Sequence, residues 1–342
     1  MDDASAWVTG SCADLGLVVL TTGERIHDRP WSDVVARDIR EGNGNEGRVW
    51  FKASGIGTRH EPKLISALAS LVPDLVPEVL AVDAERAWSL SRDAGPTWRS
   101  AVAVADQWPL WEDLLGRYAV AQLALAAHRA PLLAMGVPER SPATLPHQAA
   151  ELIAELTLLG DGCGGLSAAE AEGLAARLPL YGHWCHDLDG AGIPLTIQHD
   201  DLHSNNICLA GPAKSLISDP TANRLPAVPE GRTRVIDWGD ASIGHPFGTM
   251  LVTLRSIAHH GCCEVSDPRV QRVRDAYLEP FTAHAPRAEL IAVADVAQRV
   301  GAVARALSWR AALLGTPTPV HGEYDFPVRR WIQELLADPR KP

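Results

Sequence analysis

The sequence lacks the features that define several classes of protein, beginning with an excess of positive charge. Its 342 residues carry 31 Lys and Arg against 42 Asp and Glu, for a net charge of −11. Binding to a nucleic-acid backbone depends on an excess of Lys and Arg, because these side chains release the counterions of the phosphates. We therefore expect no nucleic-acid partner. The acidity is ordinary for a soluble enzyme and is compatible with a cationic substrate.

Long apolar runs and paired cysteines are also missing. No apolar stretch reaches the roughly 18 residues that a membrane span needs. The acidic start, MDDASAWVTG, lacks the apolar core of a signal peptide. The six cysteines include no Cys-x-x-Cys spacing, and a chain of this length needs no disulfides to form a stable core. We expect a cytoplasmic protein with free thiols and no membrane partner, present as a monomer or a homodimer.

The hydrophobic pattern divides the chain into a short β-rich part and a long helical part. Alternating and β-branched runs predict strands at 15–26, 32–39, 48–54, 77–83 and 86–91. Apolar residues at helical spacing predict helices at 60–72, 108–136 with a break near Pro131, 145–158, 167–189, 246–260, 268–283, 287–313 and 327–337. We therefore expect an α+β fold with two lobes: a small β-rich N-lobe at 1–92, a hinge at 92–96 and a large, mainly helical C-lobe at 97–342.

Two short apolar runs inside the helical part end in polar residues. LTIQHD and TRVIDWGD each have the form of a strand that leads into a loop. The first loop contains His199, Asp201 and Asn206 in the spacing H-x-D-x-x-x-x-N, and Asp237 ends the second apolar run. These two loops contain most of the unusual polar residues of the chain.

Two charged residues nearer the N-terminus complete the pattern. Lys52 ends the predicted strand RVWFK, and Glu61 begins the first predicted helix. A Lys suits the α- and β-phosphates of a nucleoside triphosphate, and a Glu on a packed helix can hold its mobile side chain. Asn and Asp oxygens are hard ligands for Mg²⁺, while a carboxylate can orient an acceptor hydroxyl and take its proton. The order Lys, Glu, Asp, Asn, Asp is that of a protein-kinase-like phosphotransferase.

The segments that contain these residues resemble the aminoglycoside phosphotransferase family, a branch of the kinase-like fold. QHDDLHSNNI is similar to the family signature H-G-D-L-H-x-x-N, and VIDWGDASIGHP is similar to the segment I-D-W-x-x-A-x-x-G-D-P. FKAS and HEPKLISALASLVPDLVPEVL resemble the family's Lys strand, Glu helix and V-P-x-V-L strand, so the likeness covers residues 30–255. The resemblance implies a two-lobed enzyme that moves the γ-phosphoryl of ATP or GTP, with Mg²⁺, to a hydroxyl of a small molecule.

The resemblance also implies a role for each matching residue of the two loops. Asp201 would orient and deprotonate the acceptor hydroxyl. Asn206 and Asp237 would bind Mg²⁺. His199 would be structural and would brace the loop.

For the nucleotide, the resemblance implies that Lys52 holds the α- and β-phosphates and that Glu61 holds Lys52. Backbone groups near Ser91 and Asp93 would receive the purine. GNGNEG lies just before the Lys strand, which favours a turn between the second and third strands over a phosphate loop. The loop expected to cover the phosphates is DRPWSD, in which Ser32 is a candidate donor to a phosphate.

The sequence departs from the family pattern at several positions. Asp200 replaces the Gly of H-G-D, and we expect it to face away from Asp201, because adjacent unpaired carboxylates repel each other. His245 replaces the Asp of G-D-P, and Thr249 stands where another Asp often follows, which puts the bracing of the helical lobe in doubt. An insertion at 209–232 contains four prolines, and the sequence leaves open whether it lies near the nucleotide or is only a surface loop.

The acceptor molecule is the least determined part of the hypothesis. The resemblance favours an antibiotic of aminoglycoside, macrolide, nucleoside or peptide type, with resistance by inactivation as the outcome. The alternatives are a metabolic sugar or amino-alcohol kinase and a nucleotide-binding pseudokinase. The excess of Asp and Glu over Lys and Arg favours a cationic or sugar-bearing antibiotic. Candidate acceptor-binding residues are His203, Asp240, Glu264, Glu323 and Asp325.

A zinc hydrolase is the competing hypothesis from another class. His199 and His203 have the spacing of a helical zinc pair, and HHGCC at 259–263 also suggests metal binding. The residues around the two histidines are poor helix formers that follow a β run, and a second half-site is missing. Gly261 favours the end of a helix over a metal site.

Overall fold

The computed structural model describes residues 3–210 and 233–337. Clustering of contacts gives two compact units, Met1–Gln107 with Ser204–Gly239 and Trp108–His203 with Asp240–Pro342. The first unit contains the larger sheet, and the second is mainly helical, which confirms the predicted α+β class. The predicted lobe boundary at 92–96 stays a prediction. None of the helices in the described ranges has the length and apolar character of a membrane span.

The first unit is built on an antiparallel sheet. Its strands are β1 (Val18–Val19), β2 (Glu24–Arg29), β3 (Ser32–Arg40), β4 (Glu46–Ser54), β5 (Val79–Asp83) and β6 (Trp88–Arg92). The order is β1-β3-β4-β6-β5, with β2 also paired to β3. Arg40 pairs with Glu46 across the GNGNEG turn, so this segment joins two strands as predicted.

Alternation along β4 decides which of its side chains enter the core. Val49 and Phe51 are buried in the core of the sheet, so Lys52 points to the opposite face. Helix α1 (Asp3–Asp14) packs Val8 and Cys12 into the same core, although the sequence pattern did not predict this helix. The core thus fixes the direction of the Lys52 side chain.

Helix α2 (Glu61–Leu71) and the short ribbon of β9 (Ile207–Leu209) and β10 (Thr233–Val235) complete this unit, together with the short helix α3 (Trp98–Ala101). The Val235 amide donates to the Leu75 carbonyl at 2.7 Å. The Leu209 amide donates to the Pro96 carbonyl at 2.9 Å. The segment that follows β6 therefore runs along β9.

The second unit consists of helices around a small sheet. Its helices are α4 (Gln107–Leu125), α5 (Arg129–Ala134), α6 (Leu145–Leu159), α7 (Ala168–Gly190), α8 (Met250–His260), α9 (Pro268–Leu278), α10 (Arg287–Ala312), α11 (Thr318–Glu323) and α12 (Pro327–Gln333). The sheet has the order β7 (Glu139–Arg140), β11 (Ser242–Gly244) and β8 (Thr196–Gln198). Helix α10 is buried along much of its length and forms the centre of this unit.

The predicted break of the 108–136 helix lies earlier than expected. Helix α4 ends at Leu125, and a 3-10 turn at Ala126–His128 separates it from α5. Pro131 lies in the first turn of α5, where a missing backbone N–H leaves no hydrogen bond unmade. The break near Pro131 was therefore placed wrongly by a few residues.

Gly95 provides a test of how closely the 95–97 segment packs against β9. It has φ +84°, and a Cβ at this position would lie 2.0 Å from the Leu209 carbonyl oxygen. We expect Gly95→Ala to lower the free energy of unfolding by about 2–4 kcal/mol, because strain and a backbone clash add together. Urea unfolding followed by far-UV circular dichroism measures the change.

Gly44→Ala is the matched control, since Gly44 has φ +87° but open space around it. Only the strain of the left-handed backbone applies there, at about 1 kcal/mol. Equal losses for the two variants would show that the close approach of the 95–97 segment to β9 is not present in solution.

Candidate active site

The first group of functional side chains surrounds Lys52. Lys52 lies on β4, and its Nζ is 2.8 Å from the Oε1 of Glu61, the first residue of α2. The Ser54 hydroxyl donates to the other Glu61 oxygen at 2.9 Å. Glu61 is buried at a helix N-terminus, where the helix dipole also favours a carboxylate. The Glu61 side chain is therefore held in one orientation toward the lysine.

Asp237 completes the environment of Lys52. Its Oδ1 lies 2.5 Å from the Lys52 Nζ, and its backbone has φ +65°, which is unusual for a residue with a side chain. The buried Trp238 indole donates to the Val235 carbonyl at 3.0 Å and holds this turn. Burial alone would lower the pKa of Lys52, but Asp237 and Glu61 outweigh it and raise that pKa. Lys52 is thus positively charged, and the carboxylates of Glu61 and Asp237 hold its ammonium group between them.

Asn206 and Asp237 lie at the same end of the β9–β10 ribbon. Ile207 pairs with Val235, and the Ile236 amide donates to the Asn206 carbonyl at 2.9 Å. An amide oxygen and a carboxylate are both hard ligands, and Mg²⁺ at kinase sites takes few protein ligands beside water and phosphates. The donor set therefore fits Mg²⁺. Lys52, Glu61, Asn206 and Asp237 are called the nucleotide group below.

The residues predicted to receive the purine lie beside β4. Ser91 is on β6 and pairs with Trp50 of β4. The Asp93 amide donates to the Arg48 carbonyl at 3.0 Å, and the Asp93 carboxylate accepts from the Trp50 indole at 2.8 Å.

Ser32 begins β3 on the other side of β4. It is buried, and it pairs with Arg29 across the turn of DRPWSD and with Ser54. The structure thus places Ser32 on the strand next to Lys52, where the hairpin closes. The insertion predicted at 209–232 lies outside the described residues from position 211 onward.

The second group of functional side chains follows β8 in the other unit. His199 is buried, its amide donates to the Tyr118 hydroxyl at 3.0 Å, and its Nδ1 accepts from the Asp201 amide at 3.3 Å. The Thr253 hydroxyl donates to the Leu202 carbonyl at 3.0 Å. These bonds fix the backbone on both sides of Asp201.

The Asp201 carboxylate contacts an arginine and a histidine. Arg305 Nη2 lies 2.7 Å from its Oδ1, and His203 Nε2 lies 3.4 Å from its Oδ2. Burial alone would raise the pKa of Asp201, but Arg305 and His203 outweigh it and hold that pKa below its ordinary value. Asp201 is therefore ionised throughout the neutral range.

Arg305 also binds a second carboxylate. Its Nη1 lies 2.6 Å from Asp240 Oδ2, and its guanidinium lies 5.4 Å from the ring centre of Trp309. Burial opposes the charge of Arg305, but the two aspartates outweigh burial and raise its pKa. Asp201, Asp240 and Arg305 are called the acceptor group below.

Arg305 lies outside both sequence motifs and was not predicted as a site residue. It stands in the Ala- and Val-rich stretch GAVARALSW of α10, where the neighbouring residues are buried. A single cation among buried apolar positions was the signal that could have identified it, because an unpaired Arg is almost never placed there.

Asp200 has a buried partner of its own. Its Oδ2 lies 3.2 Å from Arg140 Nη1 and accepts from the Ser242 hydroxyl. Arg140 is also buried, and it donates to the Ser308 hydroxyl and toward the Asp240 carbonyl. Asp200 and Asp201 therefore bind different arginines. The φ of +61° at Asp200 explains why a glycine suits this position in the family signature.

His245 does not act as a charged brace. Burial lowers its pKa to about 3, so the ring is neutral, and its Nδ1 accepts from the Phe247 amide at 3.3 Å. The ring caps the 3-10 turn at Pro246–Thr249, with Thr249 at its end. A neutral cap thus stands where the family pattern has an aspartate.

The other predicted acceptor residues lie away from the loop of Asp201 in the sequence. Glu323 ends α11, and Asp325 follows it in an exposed ion pair with Arg330 at 2.7 Å. Tyr324, between them, packs its ring 6.0 Å from that of Trp309. Glu264 is exposed.

The geometry around the histidines does not favour the zinc hypothesis. Within residues 3–210 and 233–337, no set of three His, Cys, Asp or Glu side chains is arranged to hold a metal ion. His199 uses its Nδ1 for the Asp201 amide, and His203 contacts the Asp201 carboxylate. Gly261 ends α8, as predicted.

Comparison with solved structures identifies the fold. Macrolide 2'-phosphotransferase MphH from Brachybacterium faecium is 17% identical, with 92% of this chain and 99% of that chain covered and a TM-score of 0.53. An ethanolamine kinase from Plasmodium vivax is 12% identical, with coverages of 95% and 82% and a TM-score of 0.54. A choline kinase from Streptococcus pneumoniae is 13% identical, with coverages of 96% and 98% and a TM-score of 0.53.

No protein-family model and no curated protein sequence matches the chain. The structural likeness nevertheless extends over nearly the whole length of the chain and of these phosphotransferases. The chain therefore shares its fold with these enzymes, and this fold confirms the kinase-like architecture that its two motifs predicted.

Proposed function

We propose that the protein is a small-molecule kinase that transfers the γ-phosphoryl of ATP or GTP to a hydroxyl group. The observation that carries the proposal is Lys52 held between Glu61 and Asp237 at 2.8 and 2.5 Å. A partly buried lysine between two carboxylates has little structural purpose on a sheet face, but it is the arrangement that positions a triphosphate. The kinase-like fold supports the same chemistry.

The nucleotide group binds and orients the donor. The Lys52 ammonium attracts the α- and β-phosphates, and Glu61 keeps it extended along β4. Asn206 and Asp237 would hold Mg²⁺, which would supply charge compensation for the phosphates. Because the Asp237 side chain is 45% exposed, a cation that arrives with the nucleotide can reach its carboxylate from solvent.

Asp201 orients the acceptor hydroxyl. An ionised carboxylate accepts a hydrogen bond from the hydroxyl and directs its oxygen lone pair toward the phosphorus. The low pKa of Asp201 makes it a weak base, which suits a loose transition state in which the proton leaves late. The hydrogen bonds of His199 and Leu202 keep the carboxylate in place during transfer.

The acceptor is a small molecule with a free hydroxyl, and we propose an antibiotic whose phosphorylation confers resistance. The similarity to a macrolide phosphotransferase supports this class, while the similarity to choline and ethanolamine kinases supports an amino alcohol as the alternative. A nucleotide-binding pseudokinase is disfavoured because Lys52, Asp201, Asn206 and Asp237 are all present. A phosphoryl-transfer screen over antibiotics, sugars and amino alcohols, with ATP and with GTP, tests the proposal.

Asp201→Asn separates catalysis from binding. The amide cannot accept a proton, so we expect kcat to fall by about 10²- to 10⁴-fold while the affinity for nucleotide is unchanged. Steady-state kinetics and calorimetric titration with ATP measure the two quantities. Asp189→Asn, an exposed change on α7, is the control and should alter neither. Near-normal turnover of the Asp201 variant would rule out Asp201 as the base.

Asp237→Ala tests the metal site. Removing the carboxylate takes away a Mg²⁺ ligand and a partner of Lys52, so we expect nucleotide affinity to lose its dependence on Mg²⁺. Titration of ATP with and without Mg²⁺ measures this dependence, and the exposed Asp74→Ala in the same unit is the control. A Mg²⁺ dependence equal to that of the unmodified protein would contradict the role of Asp237.

A further inference from the structure

Arg305 contacts the two carboxylates of the acceptor group with which the ammonium of a cationic ligand would pair. Its two Nη atoms lie 2.7 Å from Asp201 and 2.6 Å from Asp240. The Arg305 side chain is 8% exposed, while the Asp201 and Asp240 side chains are 20% and 21% exposed. The carboxylates that face solvent here are therefore already paired with a cation from within the chain.

The charge around Asp201 is nearly balanced. Arg140 neutralises Asp200, and Arg305 is shared by Asp201 and Asp240, so the three carboxylates meet two guanidinium groups. His203 adds a further polar contact to Asp201. The site therefore differs from the chain as a whole, which has a net charge of −11.

The aromatic neighbours of Arg305 also disfavour a ligand with many charges. Trp309 lies against the guanidinium on α10, and Tyr324 packs on Trp309. These rings offer apolar surface, and Asp325 beyond them is already paired with Arg330. Such a surface favours a ligand with apolar bulk over one with many charges.

We propose that Arg305 is a specificity-determining residue that selects acceptors with at most one ammonium group and rejects polycations. The proposal rests on the proposed kinase function and names its substrate class. An acceptor with several ammonium groups would need free carboxylates, and it would meet the fixed positive charge of Arg305. Discrimination by a like charge in this way is a common means of specificity.

Arg305→Gln tests the proposal through a ratio of rates. We compare kcat/KM for choline and erythromycin, each with one cationic nitrogen, with kcat/KM for kanamycin, which has several. The unmodified protein should prefer the monocations by about 100-fold or more, and Arg305→Gln should reduce this ratio at least tenfold through a lower KM for kanamycin. The kcat for every acceptor should fall, because Asp201 loses its partner.

Binding of spermine, a linear tetraamine, tests whether Arg305 rejects polycations without requiring turnover. Calorimetric titration at low salt should show at least tenfold tighter binding to Arg305→Gln than to the unmodified protein, with the gain lost at high salt. Arg305→Lys keeps a point charge that covers one carboxylate and should give an intermediate affinity. If Arg305→Gln does not fold, the spermine affinity of Arg305→Lys tests the proposal.

Arg310→Gln is the matched control, because Arg310 lies on the same helix in a surface ion pair with Glu155. It should change neither the acceptor ratio nor spermine binding. A preference of the unmodified protein for kanamycin, or variants at Arg305 that bind spermine no more tightly, would overturn the proposal. Absence of phosphorylation for every acceptor would instead overturn the kinase function, while the spermine titration still decides the role of Arg305.

Discussion

The aspartates beside the strands β8 and β11 lie close together because buried arginines compensate their charge. Desolvation disfavours a carboxylate, and neighbouring carboxylates repel one another, so Asp200, Asp201 and Asp240 require cations in contact. Arg140 and Arg305 supply them at hydrogen-bonding distance. Because Arg305 projects from α10, the packing of that central helix determines whether Asp201 has its partner. The core of this unit and its chemistry are thus coupled through a single side chain.

The positions of Lys52 and Glu61 could be predicted from the hydrophobic pattern of their strand and helix, whereas Asn206 and Asp237 were predicted from the resemblance of their motifs. Alternation along RVWFK gives the direction of Lys52, and the start of an amphipathic helix gives the position of Glu61. The structure brings Lys52 within ion-pair distance of both Glu61 and Asp237. Local periodicity was sufficient here, since the strand and the helix are neighbours in the chain.

The arginines of the acceptor group could not be predicted in this way. Arg140 and Arg305 are far in sequence from the aspartates they bind, and neither belongs to a motif. Long-range contacts of this kind depend on how helices and strands pack, which hydrophobic periodicity does not specify. Helix α1 was missed for a related reason, because its sequence has little amphipathic contrast and only Val8 and Cys12 are buried.

The buried ion pair of Asp200 and Arg140 also limits which substitutions each position can accept. Removing one partner of a buried ion pair leaves an uncompensated charge, at a typical cost of about 3–5 kcal/mol. Replacing Asp200 with the glycine of the family signature would leave Arg140 buried without this partner, and replacing Arg140 alone would leave Asp200 buried without it. Neither single step is neutral, so the two positions are expected to vary together among descendants of this chain. The side chain at position 200, in the loop after β8, is in this way tied to a residue sixty positions upstream.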